Sequence, residues 1–166
     1  MKNNFFFLVI LFLGFSVNAQ KTLDQTLKKY NKNNVPYISA TELRMLQAQE
    51  NVIIIDSREQ KEFNVSHISS AIFVGYDHFS LEEFSETIPE KDTPIVVYCT
   101  LGIRSEITAD KLVKTGYTNV RNLYGGICEW KNKDFKVMDS TNTETQNVHT
   151  FNKQWSKWLQ NGKQVY

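Results

Sequence analysis

The feature that most constrains this chain is the run Ile95-Val96-Val97-Tyr98, followed at once by Cys99 and, past Gly102, by a helical pattern. Four apolar, mostly β-branched residues without polar alternation mark a strand covered on both faces. A second run, Val52-Ile53-Ile54-Ile55, ends in the same way on polar residues, Asp56 and Arg58. Strands of this kind alternate with stretches of helical spacing. That pattern predicts an α/β domain with a mainly parallel central sheet flanked by helices. Ligands in such folds bind beyond the carboxyl ends of the strands, where Cys99 falls.

The spacing predicts a helix from about Ile103 to Leu112, so Cys99 lies just ahead of a helix N-terminus. Unpaired N–H groups and the positive end of the helix dipole point at a thiol so placed. These surroundings lower a thiol pKa and favour the nucleophilic thiolate. Gly102 lets the chain curl with positive φ, so that successive N–H groups converge on the sulfur. Cys99 is therefore the candidate nucleophile. Arg104 is the cationic side chain of the loop, suited either to an anionic substrate or to a structural ion pair. Ser105 is expected to cap the helix, or else to donate a hydrogen bond to the site.

The remaining elements follow in order. Leu23, Leu27 and Tyr30 form one stripe of a short helix. Val35-Pro36-Tyr37-Ile38 is an edge strand, since proline cannot serve a central one. Ser39 and Glu42 make a capping box for a helix through about Gln49. A helical stretch covers Glu59 to Phe63, His67 to Val74 is a loop entering a strand, and Ser80 starts another short helix. In the helix after the cysteine, Ile107, Leu112 and Val113 are expected to face the sheet, and Gly116 to end it. Asn119 to Leu123 is the last strand. Gly125-Gly126 then turns into a helix with Ile127 and Trp130 inward, Glu129 and Lys131 outward, and Cys128 flanking the core. Residues 131–147 read as a loop or linker. Phe151, Trp155, Trp158 and Leu159, at i, i+4, i+7 and i+8, predict a C-terminal amphipathic helix of about three turns docked on the domain.

At a formal charge of +1, with no long basic stripe, nucleic acid is not an expected partner. Lys2, the apolar run Phe5 to Leu13 and the small-residue site ending at Ala19 read as a signal peptide over residues 1–19. The apolar stretch is too short to span a bilayer comfortably, so no stable membrane insertion is expected after processing. The expectation is export, to a periplasm or beyond the cell. Two cysteines in an exported chain suggest a disulfide by default. A nucleophile locked in a permanent bridge would be useless, and the setting of Cys99 outweighs that default. His67, His78 and His149 have no ligand-like spacing, so neither a metal nor another cofactor is expected.

Cys99-Thr100-Leu101-Gly102-Ile103-Arg104-Ser105 resembles the active-site loop of single-domain rhodaneses, sulfurtransferases that carry sulfur as a cysteine persulfide. Asp56-Ser57-Arg58, His67-Ile68-x-x-Ala71-Ile72 and Leu123-x-Gly125-Gly126-Ile127-x-x-Trp130 match the family in the same order. The resemblance implies a rhodanese-like domain over residues 35–133, between an N-terminal extension (20–34) and a C-terminal one (134–166). It implies that Cys99 takes a sulfane sulfur from a small donor such as thiosulfate and passes it to a thiol, cyanide or protein acceptor. Residues Thr100 to Ser105 would form the substrate-binding loop, with Asp56 and Arg58 bracing it. Thr100 and Leu101 stand where some thiosulfate-specific relatives carry cationic residues. A related class of phosphatases has its arginine six positions beyond the cysteine, and here it is five. The alternative on the same residues is a non-catalytic module that presents its thiol to a redox or binding partner.

Overall fold

The computed structural model describes residues 23–166; the expected signal segment 1–19 lies outside them. The described residues fall into two units, 23–32 and 33–166. In the first, residues 23–30 form helix α1, on which Leu23 and Leu27 are buried while Tyr30 is half exposed.

The second unit is built on a five-stranded sheet. Its strands are β1 (Tyr37–Ile38), β2 (Ile53–Asp56), β4 (Ile72–Phe73), β5 (Ile95–Tyr98) and β6 (Val120–Leu123), in the order β1-β6-β5-β2-β4. Every pairing in it is parallel, as the unbroken apolar runs predict. β1 is an edge strand, and β5 is central with its four residues all buried. The chain moves outward from β2 to β4 and then returns to β5 on the other side of β2. This reversal puts the carboxyl ends of β2 and β5 where such sheets bind ligands.

Helices flank the sheet. Ser39 caps α2 (Ala40–Ala48) through the expected box, its hydroxyl accepting from the Glu42 N–H at 3.2 Å. Short helices α3 (Gln60–Val65) and α4 (Leu81–Thr87) follow β2 and β4. α5 (Arg104–Lys114) follows the cysteine loop, and α6 (Gly126–Asn132) follows β6. One core cluster joins Ile55, Ile95, Val97 and Val120 of the sheet to Phe84 of α4 and Ala109 and Leu112 of α5.

The phase of α5 differs from the expectation. Ile107 and Val113 are exposed, and the buried stripe is Ser105, Thr108, Ala109 and Leu112. Ser105 turns inward toward Cys99 and Asn122, which sets the rotation of the helix. α6 is also more buried than its pattern suggests, for Cys128 and Lys131 are inside along with Ile127 and Trp130. A carboxyl-terminal layer supplies the reason. The Lys131 stem packs under Gly162, and Asn132 bonds the backbone of Trp158 and Gln160.

That layer replaces both the expected linker and the expected three-turn helix. β7 (Val137–Met138) lies antiparallel between β3 (His67–Ile68) and β8 (Glu144–Thr145). β9 (Asn147–His149) pairs in parallel with β10 (Lys163–Val165). Between these two, only Ser156–Trp158 is helical, as a single 3₁₀ turn. Phe151 adopts a left-handed φ of 70°, which a helix start cannot accommodate. Gln164 donates to the carbonyls of Ser156 and Leu159, and Asn132 takes that of Trp158, so side chains from outside satisfy the segment's carbonyls. The apolar stripe is real in part: Trp158 and Leu159 are buried, but Phe151 and Trp155 serve another purpose.

Candidate active site

Cys99 stands one residue past β5 and is 2 % exposed. Neighbouring strand ends fix the start of its loop. The N–H and hydroxyl of Ser57, just beyond β2, both donate to the Tyr98 carbonyl at 3.0 Å. The N-terminal amides of α6 fix the next two carbonyls, Ile127 N–H to Cys99 O at 2.9 Å and Cys128 N–H to Thr100 O at 3.3 Å. Helix N-termini carry such unpaired donors, and here the loop supplies their acceptors. Gly126 makes the approach possible, because a β-carbon there would collide with the Cys99 carbonyl. Gly102 has φ 104°, and its carbonyl accepts from the Asn122 side chain at 2.8 Å.

With the loop so curled, donors converge on the sulfur. The Gly102 N–H donates to Cys99 Sγ at 3.2 Å and the Ser105 backbone N–H bonds it as well, while the Ser105 hydroxyl oxygen lies 3.5 Å away. Burial pushes the thiol pKa up, but Arg104, Ser105 and the Gly102 amide outweigh it, and the net shift is downward. The thiolate is the form so favoured. Ser105 is not the helix cap: Ile103 occupies that position and offers no side-chain bond. Instead the Ser105 hydroxyl donates to Asn122 Oδ1 at 2.7 Å. Asn122 thus holds both ends of the curl, a role that its place inside a strand pattern does not announce.

Arg104 is held by a residue that sequence reasoning missed. Its Nη1 and Nη2 each lie 2.7 Å from a different oxygen of Glu62, a side chain fully buried on α3. Nη2 also donates to Thr100 Oγ1 at 3.0 Å, and that hydroxyl in turn donates to Glu62. Burial raises the Glu62 pKa and its bonds to Arg104 lower it, with a net fall, so the carboxylate stays ionised. Of the two roles expected for Arg104, this geometry realises the ion pair.

Asp56 and Arg58 are fully buried and joined to each other, with Arg58 Nη2 2.6 Å from both Asp56 Oδ2 and the Ser66 carbonyl. The guanidinium sits 5.5 Å from the centre of the Tyr98 ring. The pair braces the chain after β2 against β5 from behind the loop, and neither residue lines the cavity at Cys99. The His67 ring stacks on Phe63 at 4.0 Å and bonds the Phe63 carbonyl through Nδ1. Both cysteines are free, and Cys128 is buried where desolvation pushes its pKa up to about 12. Among the described residues, no three His, Cys, Asp or Glu gather as a metal site requires.

A cavity of about 120 Å³ opens over the loop, with Cys99, Thr100, Leu101, Ile103 and Arg104 on one side and Phe151 and Trp155 on the other. A larger one, about 780 Å³, lies between residues such as Arg44, Trp130 and Met138 and touches none of the candidate residues. The smaller cavity is the one that contains Cys99 and its loop. Its outer wall comes from the carboxyl-terminal layer, with the Phe151 ring 4.8 Å from the Arg104 guanidinium. The Phe151 N–H donates to His149 Nδ1 at 3.1 Å, so that nitrogen carries a lone pair. The same nitrogen stands 3.9 Å from Glu62 Oε1, which is then a contact of a neutral ring and not an ion pair. Burial holds the His149 pKa below its ordinary value, against the pull of Glu62.

Part of the chain is similar to known proteins. The model of the Rhodanese-like domain family matches residues 39–133. The thiosulfate sulfurtransferase GlpE of Coxiella burnetii is 35% identical over 94 residues, covering 57% of this chain and 85% of GlpE. The adenylyltransferase and sulfurtransferase UBA4 of Candida albicans is 33% identical over 91 residues, 52% of this chain but only 21% of UBA4. Among solved structures, the human single-domain sulfurtransferase TSTD1 superposes with a TM-score of 0.52 at 24% identity, over 60% of this chain and 98% of that one. A thiosulfate sulfurtransferase of Pseudomonas aeruginosa reaches 0.61 at 20% identity, over 75% of this chain and 23% of that one. At these identities the structures show a shared fold. Because the family match runs from α2 through the cysteine loop to α6, over more than half its length, the chain belongs to the Rhodanese-like domain family.

Proposed function

We propose that this protein is an exported sulfurtransferase that carries a sulfane sulfur as a persulfide on Cys99. The observation that carries the reading is the buried sulfur with its lowered pKa, reached by the Gly102 amide at 3.2 Å. With thiosulfate as donor, the Cys99 thiolate attacks the outer sulfur, a new S–S bond forms, and sulfite leaves with the electron pair of the old one. The product is Cys99–S–S⁻, and the donors that favour the thiolate also favour this anion, in the manner of an oxyanion hole. A thiol, cyanide or protein thiolate then attacks the terminal sulfur and restores the Cys99 thiolate, which makes the kinetics ping-pong. The GlpE name supports transfer from thiosulfate as one activity of this family. The charged start, apolar run and small-residue site of residues 1–19 support export.

The experiment is intact-mass analysis of the protein after incubation with thiosulfate and with an organic thiosulfonate, followed by cyanide. One added sulfur, mapped to Cys99 and removed by cyanide, is the expected result. A Cys99→Ser protein should fold, add no sulfur and make no thiocyanate. If no donor loads Cys99, the transferase reading fails and a non-catalytic module takes its place. The mass of secreted material tests export: it should begin at Gln20.

A further inference from the structure

The wall of the cavity that lies outside the family match bears on what enters it. Phe151 and Trp155 line, together with Leu101 and Ile103, a space of about 120 Å³. The polar groups beside them are already engaged. Arg104 is the cavity's one cationic side chain, and both its terminal nitrogens are bonded to Glu62. The Thr100 hydroxyl donates to that same carboxylate. A thiosulfate dianion entering here meets a neutralised cation and apolar walls, and it loses hydration with little return. A donor carrying one charge fewer and an apolar group in place of an oxygen anion gains from the same walls. The space suits such a group: a cavity of about 150 Å³ admits benzene, and this one has an open mouth where Phe151 is 46% exposed.

We infer that Phe151 and Trp155 form an apolar subsite that selects singly charged organic sulfane donors, with a group the size of one ring or a short alkyl branch, over thiosulfate. The inference rests on the transferase reading above and names the substrate class of that same site. For a thiosulfonate, R–SO₂–S⁻, the Cys99 thiolate attacks the terminal sulfur and the S–S bond to Cys99 forms. The SO₂–S bond breaks, and its electron pair leaves with the sulfinate R–SO₂⁻. Atoms and charge balance without any oxidant or reductant.

The test measures kcat/KM for thiosulfate, methanethiosulfonate and benzenethiosulfonate with cyanide as acceptor, each divided by the donor's rate with free cysteine. That division removes intrinsic leaving-group differences. The expected order is benzenethiosulfonate, then methanethiosulfonate, then thiosulfate, with about tenfold between the first two. Phe151→Ala and Trp155→Ala should each bring the benzene-to-methane ratio severalfold closer to one, and Phe151→Leu should restore part of it. Melting curves identify the variants that fold, and the exposure of Phe151 keeps at least that pair readable. Thiosulfate leading after correction, or a ratio unmoved in folded Phe151 variants, overturns the subsite while leaving the persulfide reaction standing. Failure of every donor to load Cys99 overturns both.

Discussion

Glu62 grips Arg104 with both carboxylate oxygens at 2.7 Å, and this clamp ties helix α3 to the loop that carries Cys99. Its carboxylate is fully buried and the guanidinium side chain 15% exposed, so neither can exchange the other for bulk water. The cationic end that would otherwise meet an anionic substrate is thereby committed to the fold. Charge balance within the site is a property of the pair.

Glu62→Ala leaves the Arg104 charge uncompensated. Breaking a buried pair from one side costs about 3 kcal/mol. Urea unfolding of the variant should show a midpoint loss of that order with an unchanged slope. A loss below about 0.5 kcal/mol, the range of ordinary surface substitutions, would mean that the clamp contributes no net stability.

Cys99 should be alkylated by iodoacetamide as a thiolate at pH values where an ordinary thiol, with a pKa of about 8.5, is protonated. Its pKa is lowered, so the rate should stay on its plateau as pH falls below that value and drop only through the lowered one. Glu62→Gln removes the charge that balances Arg104 and should move the half-point lower still. A wild-type half-point at or above the ordinary thiol value would contradict the electrostatics of the loop.

Gly126→Ala puts a methyl group against the Cys99 carbonyl and 2.6 Å from the Thr100 carbonyl carbon. The loop must shift, and the bonds from the α6 amides to Cys99 and Thr100 are lost with it. Gly116→Ala is the control, since Gly116 also has positive φ but nothing within 4 Å of its missing β-carbon. The control should lose about 1 kcal/mol, from backbone strain alone, and keep its sulfur transfer. Gly126→Ala should lose more stability and most of its activity. Equal behaviour in the two would show that the close approach is dispensable.

His149 gives the carboxyl-terminal layer a pH dependence. Its folded pKa lies below the ordinary value of about 6.5, so between the two the unfolded chain binds more protons. Stability therefore rises with pH across that window and is lost as pH falls from about 6.5 through the folded value. Protonation also removes the lone pair that receives the Phe151 N–H, beside Glu62, Arg58, Lys61 and Arg104, the charges that act on the ring. His149→Asn keeps an acceptor without a titration and should flatten the stability profile over this window. An unchanged slope in that variant would assign the effect to other groups.

Cys128→Ala should retain most sulfur transfer. The thiol is buried, and its pKa of about 12 leaves almost no thiolate to attack a persulfide at neutral pH. Non-reducing peptide maps of oxidised protein should show no stoichiometric link to Cys99. A complete, reversible link would favour a redox switch over the transferase reading.

The loop from Ile95 to Ser105 was legible because it is local. A buried strand, a cysteine, a glycine and a helix follow one another within eleven residues, and each has its own sequence signature. Glu62 was not, since it lies 42 positions from Arg104 and looks like a solvated charge on a short helix. Asn122 is hidden in the same way inside β6. The stripe of Phe151, Trp155, Trp158 and Leu159 has helical spacing, but tertiary bonds from Asn132 and Gln164 decide the backbone there. Hydrophobicity alone points Ile107 and Val113 inward, whereas the polar Ser105 sets the phase of α5.

The outer wall of the cavity lies in residues that the family model does not span. The inner wall tolerates little change: substitution at Gly102 or Gly126 must find room among backbone atoms, and at Asn122 it unties the curl. Phe151, 46% exposed on a connecting segment, is under no such packing constraint. Surface connections accept exchange and insertion far more readily than the elements they join. Substitution on one side of Cys99 can then leave the other side undisturbed. A change in this segment would alter what the cavity admits while the geometry around Cys99 stays as it is.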